Sequence, residues 1–198
     1  MFYFIYFSLF IFGLLFGSFL NVVSLRYRPD NRLFSLKIIG GRSRCFGCGR
    51  TLRWYELVPL LSYFFWGGRC RVCRERLLLQ YPIVEFLSGL IFVLVPARIL
   101  ALGSLNFGSK ILDGWPLFLI SFIWILIFLA FLLLSIIDFR LSIIPDQINL
   151  FLGILGAALV FLYSRYYFYP GSFLGSYGTL FNFAENIWLN HWLAAGVG

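Results

Sequence analysis

The stretch that most constrains this chain is Trp115–Ile137, a run of 23 residues without a charge. A helix rises about 1.5 Å per residue, so this run is long enough to cross a bilayer core of about 30 Å. It ends at Asp138, and a carboxylate in the last turn of a membrane helix is costly to place. Asp138 is therefore a candidate functional residue. The alternative is that Asp138 only marks where the helix leaves the membrane, with Arg140 beside it as a surface ion.

Further apolar runs accompany this one at Met1–Leu25, Tyr81–Leu102 and Gln147–Leu162, and Trp188–Gly198 reads as the opening of a fifth. The chain is 61% hydrophobic and only 12% charged, whereas soluble domains average about 25% charged residues. These features exclude a soluble domain. They predict an all-α polytopic membrane protein with four to five transmembrane helices.

Positive charge is concentrated in one polar insert, because twelve of the sixteen Lys and Arg residues lie between Arg26 and Arg76. The positive-inside rule then predicts a cytosolic insert, an external N-terminus and cytosolic positions for Asp138 and Asp146. It likewise predicts a short cytosolic loop at 139–146 and an external segment at 164–185. The same charge favours the lipid bilayer as partner, and we predict no nucleic acid. The predicted organisation is a first transmembrane helix at 1–25, the insert at 26–80 and a transmembrane region at 81–198.

Four cysteines occur in the insert as two CxxC pairs, Cys45 with Cys48 and Cys70 with Cys73. Two residues between cysteines allow both sulfurs to reach one tetrahedral ion, and zinc sites use this pattern. The sequence therefore predicts a structural zinc ion in a zinc-ribbon-like insert. Two disulfides or a redox pair are the alternatives, although disulfides are rare in the cytosol.

Small and polar residues occur within the first two predicted spans. Gly13, Gly17 and Asn21 are four residues apart, which places them on one helix face and predicts close helix packing. Glu85 falls near the start of the second predicted span, where a helix N-terminus favours negative charge. Residues 54–66 are too short to span a bilayer, and we expect them at its interface.

The chain resembles the bacterial type IV prepilin peptidases, which are bifunctional leader peptidase/N-methyltransferases of the inner membrane. Six kinds of segment carry the resemblance, in the family's order: Gly17–Val23 with Arg26 and Pro29, the two CxxC pairs, Glu56–Tyr63, Gly68–Cys70, Tyr81–Glu85 and Asp138–Asp146. Together they cover about residues 13 to 150. The resemblance implies a membrane-embedded aspartic endopeptidase of type IV pilus and type II secretion systems.

The implied reaction removes the basic leader from prepilins and pseudopilins, and then methylates the new N-terminus from S-adenosylmethionine. The family's first catalytic aspartate matches Asp138, and Asp146 is secondary. Because the leader is basic, we predict Glu56 and Glu85 as substrate-binding residues, together with Gly17 and Asn21. The four cysteines match the family's cytosolic domain.

The second aspartate of the family lies in a GxGD motif, and the 198 residues contain no such motif. We therefore expect the C-terminal part of the enzyme to be missing and the chain as given not to cleave prepilin, since aspartic catalysis needs two carboxylates. The alternatives are a non-catalytic membrane-anchored zinc module, an inactive fragment of such an enzyme, or a protein that acts only as a methyltransferase.

Overall fold

A computed structural model describes residues 2–29, 40–106 and 115–167 of the chain. The described part is helical, and its extended pairing is limited to two isolated β-bridges. The chain divides into two compact units, Met1–Leu155 and Gly156–Gly198. All the contacts given below lie within the first unit. The predicted external segment 164–185 and the predicted fifth span fall largely or wholly outside the described residues.

Four long helices form the framework, and a short helix lies in the insert. The bounds are α1 at Phe2–Arg26, α2 at Leu61–Phe65, α3 at Gln80–Asn106, α4 at Trp115–Leu141 and α5 at Asp146–Tyr167, with a 3-10 turn at Trp54–Glu56. The four long helices are apolar and long enough to cross a membrane. The predicted all-α membrane architecture is confirmed, and α3 continues through Pro96 without interruption.

The closest helix contact joins α1 to α3 through glycines. A Cβ added at Gly13 would lie 2.7 Å from the Cα of Gly89, and one added at Gly17 would lie 2.6 Å from the Cα of Glu85. The Ser88 hydroxyl donates a hydrogen bond of 2.6 Å to the Gly13 carbonyl. Helices in lipid gain little from the hydrophobic effect, so they associate through such close packing and interhelical hydrogen bonds. The predicted small-residue face is confirmed.

Helix α4 packs against α3 and touches α1. Its buried side chains, among them Ile125, Leu133 and Ile137, join Val23 of α1 and Val84 of α3 in one apolar core. This packing fixes the rotation of α4 and thereby the direction in which Asp138, one residue after Ile137, leaves the core.

The end of α4 differs from the sequence-based boundary, because the helix continues past Ile137 to Leu141. Ser142 ends it with a φ of 52° and donates its N–H to the Asp138 carbonyl at 2.7 Å. A left-handed residue at this position is a common helix stop. Asp138 consequently lies in the last helical turn, and the loop predicted at 139–146 shrinks to residues 142–145.

Candidate active site and cysteine cluster

The four cysteines are brought together, as their spacing predicted. Their Sγ atoms all lie within 4.8 Å of one another, and those of Cys45 and Cys73 are 3.6 Å apart. Four sulfurs around zinc, each at about 2.3 Å, are separated by about 3.8 Å. None of the four is in a disulfide. The donor set and its dimensions therefore fit one tetrahedral metal ion.

Each CxxC pair sits in a turn with the same backbone pattern. Cys45 donates its N–H to Arg50 and accepts one from Gly49, while Cys70 donates to Glu75 and accepts from Arg74. Both Gly49 and Arg74 have positive φ. The bridges Arg44–Thr51 and Arg69–Arg76 stand at equal offsets from the two pairs. The insert is thus an internal repeat of two knuckles, which sequence inspection missed because their side chains differ.

Two thiols of the cluster, those of Cys70 and Cys73, differ in pKa. Backbone N–H groups of Cys73 and Val72 lower the pKa of the Cys70 thiol to about 6. The N–H of Glu75 likewise lowers the pKa of the Cys73 thiol. Burial and hydrogen bonds with the neighbouring sulfurs outweigh this effect and raise that pKa to about 12. The neighbouring sulfurs thus disfavour a second negative charge at Cys73, and all four cysteines would become thiolates together only around a cation.

Glu56 holds the first knuckle to the 3-10 turn. Its carboxylate accepts hydrogen bonds from the Arg50 guanidinium and, at 2.8 Å, from the Arg53 N–H. Burial opposes the charge of this side chain, but the two donors outweigh it and keep the pKa of Glu56 below its usual range. Both carboxylate oxygens of this predicted substrate-binding residue therefore accept hydrogen bonds from within the insert.

A cavity of about 150 Å³ lies between the insert and the ends of α1 and α3. Residues from both sides line it, including Ser18 and Glu85 from the helices and Tyr63, Trp66 and Cys70 from the insert. The exposed area of the lining is mostly apolar, but the lining residues also include two glutamates and four arginines, Glu56, Glu85, Arg26, Arg44, Arg69 and Arg71.

Glu85 is buried at this cavity and accepts a hydrogen bond of 2.8 Å from the Leu60 N–H. The Ser18 side chain also interacts with its carboxylate. Gly17 permits this arrangement, because a side chain there would collide with the Glu85 backbone. The predicted residues Gly17 and Glu85 are therefore brought together, with Gly17 contributing space.

Asn21 belongs to a polar network at the same end of the helices. It is buried, donates to the Tyr81 carbonyl at 3.2 Å and accepts from the Gln80 side chain at 3.3 Å. The backbone carbonyl of Asn21 accepts a hydrogen bond of 2.9 Å from the Ser24 hydroxyl. The network ties the end of α1 to the start of α3, which positions the insert between them.

Arg140 ties the Asp138 turn to this end of the structure. Its Nη1 donates to the Ser24 carbonyl at 2.7 Å, one of the carbonyls that the last turn of α1 leaves without a helical partner. The ends of α1 and α4 and the start of α3 therefore lie together. The contact spans 116 residues of sequence, and sequence reasoning assigned Arg140 only a surface role.

Asp138 and Asp146 are both exposed, one at the end of α4 and the other at the start of α5. Within the described ranges, neither carboxylate forms a hydrogen bond or an ion pair with another residue. The loop between them contains Pro145, which breaks any continuous helix between the two aspartates. Asp138 is thus presented at the same end of the helices as the insert, with its oxygens accessible.

Part of the chain is similar to a known family of proteins. Residues 11–99 match the family model "Bacterial Peptidase A24 N-terminal domain". The match begins within α1 and covers the rest of that helix, the insert and most of α3. The resemblance to the prepilin peptidases is confirmed. No solved structure gives a significant match.

Several relatives carry the name prepilin leader peptidase/N-methyltransferase. The Myxococcus xanthus protein is 41% identical over 55% of this chain and 34% of its own length. The Bacillus subtilis protein is 34% identical over 78% of this chain and 61% of its length, and the Aeromonas salmonicida protein is 32% identical over 74% and 52%. The chain therefore spans about one third to three fifths of the length of these relatives.

Proposed function

We propose that this chain carries the first half of the site of a membrane-embedded aspartic endopeptidase that removes the basic leader from type IV prepilins and pseudopilins. The names of its relatives support the activity. The single observation that carries the residue assignment is the exposed Asp138 in the last turn of a membrane-length helix. A carboxylate at that depth reaches a substrate entering from the membrane surface.

Proteolysis of this kind requires a second carboxylate, because one activates water while the other donates a proton. Asp146 is exposed across a loop of four residues and is the secondary candidate. Glu85 is buried and accepts the Leu60 N–H, which assigns it to the cavity and not to water activation. Its negative charge, facing the cavity, suits a cationic group of the substrate better.

The cysteine cluster is proposed to hold zinc, with Cys45, Cys48, Cys70 and Cys73 as ligands. The sulfur separations support a closed structural site, since four thiolates leave no position for water or substrate. Zinc would supply folding energy to the insert and take no part in proteolysis. The ion would also neutralise the crowded thiolates described above.

N-methylation from S-adenosylmethionine is proposed to use the cavity beneath the insert, which at about 150 Å³ must widen to admit the whole cofactor. Aromatic side chains at Tyr63 and Trp66 suit an adenine ring, and the Glu85 carboxylate suits an ammonium group. When bound, this cofactor supplies an electrophilic methyl group. The residues of the chain would bind it and orient the amine that accepts the methyl group.

The proposed location is the inner membrane, with the insert in the cytosol and the N-terminus outside. Two observations support a common side for the insert and Asp138. The basic residues cluster in the insert, and Arg140 joins the Asp138 turn to the end of α1 from which the insert begins. The positive-inside rule assigns that side to the cytosol.

The test is a leader-cleavage assay in membranes with a prepilin substrate and tritiated S-adenosylmethionine. It compares this chain, the product of the whole gene, and Asp138→Asn and Tyr63→Ala in that product. Asp138→Asn should lower cleavage by at least about 10²–10⁴-fold, because general acid–base help is lost. Tyr63→Ala should spare cleavage and reduce methyl transfer.

Cleavage that survives Asp138→Asn would remove the aspartic mechanism. If the product of the whole gene also lacked both activities, the alternative of a non-catalytic zinc module would take its place. Equal loss of both activities in Tyr63→Ala would show that the cavity does not serve methylation separately.

A further inference from the structure

The segment Leu57–Trp66, here called the strap, contains helix α2 and has two unlike faces. Ser62, Tyr63 and Trp66 line the cavity. Leu61, Phe64 and Phe65 are exposed at 55%, 73% and 80%, and their spacing of three and four residues puts them on one side of the helix. The outward face of the strap is therefore apolar and largely exposed, and the ring of Phe64 also contacts Tyr63 of the strap edge-on.

The depth of the strap relative to the membrane helices is set by one hydrogen bond. The Leu60 N–H donates to Glu85, which lies five residues after the start of α3, or about 7.5 Å along the helix axis. The same carboxylate interacts with Ser18, which is eight residues, or about 12 Å, from the end of α1. Both helices are long and apolar enough to span a membrane. Two separate helices thus locate the strap beside the apolar part of a span.

The backbone at Leu60 is shaped for this position. Its φ of 57° and ψ of −51° lie in a region that residues with a Cβ rarely adopt. The turn directs the N–H of Leu60 inward to Glu85 while the next residue, Leu61, faces outward. The hydrogen bond therefore holds a conformation that leucine does not favour by itself.

Positive charge follows directly after the apolar face. Arg69 and Arg71 come three and five residues after Trp66, and the Arg71 guanidinium lies 4.9 Å from the centroid of the Trp66 ring. Apolar residues bordered by tryptophan and arginine are typical of helices that lie at the boundary between headgroups and acyl chains. Both arginines also line the cavity, and Arg71 donates to the Tyr55 hydroxyl at 3.0 Å. Their positive charge complements the negative surface potential of anionic phospholipid.

We propose that the strap is an interfacial membrane anchor whose occupant is a bilayer containing anionic phospholipid. Leu61, Phe64 and Phe65 contact acyl chains, and Glu85 sets the depth through Leu60. Because Tyr63 and Trp66 lie on the opposite side of the same helix, lipid contact also holds one wall of the cavity in place. The strap thus couples the membrane surface to the position of the insert. This inference does not depend on the proposed enzymatic activity.

The first experiment places the photoreactive residue p-benzoylphenylalanine at Phe65 or at Phe46 in the 198-residue chain. Phe46 is the matched control, since it is exposed to a similar extent, 74%, but lies in the first knuckle between Arg44 and Arg50. The protein is reconstituted in vesicles of phosphatidylethanolamine and phosphatidylglycerol that carry radiolabelled lipid. Irradiation should label the Phe65 position about fivefold or more above the Phe46 position, since only an apolar face at the interface meets acyl chains.

Equal labelling at both positions, or none at Phe65, would overturn the proposal. So would a cross-link from position 65 mainly to another copy of the chain, because the face would then be a protein interface. These outcomes need no further substitution, so they hold even where variants of Glu85 fail to accumulate.

The second experiment tests the role of Glu85 by repeating the position-65 labelling in Glu85→Gln and Glu85→Ala. The amide oxygen of glutamine still accepts the Leu60 N–H, whereas alanine offers no acceptor. Labelling should persist in Glu85→Gln and fall severalfold in Glu85→Ala. Unchanged labelling in Glu85→Ala would show that Glu85 does not set the depth of the strap. Resistance of the insert to protease reports that each variant is folded.

Discussion

The cysteine insert and the Asp138 turn lie at the same end of the helices, yet they are held in different ways. The insert is fastened by four converging cysteines, by the Glu56 contacts and by the bond from Leu60 to Glu85. The Asp138 turn is joined to α1 by the Arg140 guanidinium, and its carboxylate is exposed. Residues 40–80 of the insert are therefore held at several points, whereas the carboxylate of Asp138 is accessible.

This difference agrees with what the role proposed for each region would require. A structural metal site is stable when its ligands are closed around the ion. A catalytic carboxylate needs accessible oxygens and a fixed backbone, because small displacements of a reacting group reduce rate strongly. The packing of Ile137 in the core supplies the fixed backbone, and the next residue, Asp138, is exposed.

The largest expected effect is on the insert. Cys70→Ser removes one of four ligands, and structural zinc contributes about 10–16 kcal/mol in zinc-finger peptides at neutral pH. We expect zinc content to fall well below one per chain and the insert to become sensitive to protease. Elemental analysis and limited proteolysis measure both effects, with Val72→Ala in the same knuckle as the control. Full zinc content in Cys70→Ser would refute a four-cysteine site.

A smaller but still large effect is expected where α1 meets α3. Gly17→Leu places a side chain against the Glu85 backbone and Ser88, and overpacking typically costs about 1–3 kcal/mol, and sometimes more. The melting temperature in detergent should fall by several degrees. Gly153→Leu is the matched control, because a Cβ there meets nothing within 4 Å. Equal destabilisation by the two substitutions would contradict the close α1–α3 contact.

The smallest effect is expected at the hydrogen bond that joins the Asp138 turn to α1. Arg140→Ala removes the guanidinium that binds the Ser24 carbonyl, so α4 keeps its core packing but its last turn is less well placed. We expect leader cleavage by the whole-gene product to fall about tenfold, with little change in melting temperature. Arg140→Lys should recover part of the rate. Wild-type cleavage by Arg140→Ala would show that the aspartate needs no such tie.

Sequence patterns predicted much of the fold of this protein, because the interactions that form these features act between residues close together in the sequence. An uncharged run of 23 residues specifies a membrane helix by length, and glycines four residues apart specify a helix face. CxxC spacing brings two sulfurs to one ion without knowledge of the remaining fold. The four spans, the α1 packing face and the cysteine cluster were all accessible in this way.

Tertiary structure decided which polar residues meet. Leu60 and Glu85 are 25 residues apart, and Arg140 and Ser24 are 116 apart. No local period encodes such pairs, since they depend on the rotation and register of packed helices. Asn21 is a further example, because its buried side chain donates to the Tyr81 carbonyl and so links α1 to α3. Spacing and hydropathy therefore determined the elements of this protein, whereas long-range packing determined the partners of each buried polar group and left Asp138 exposed.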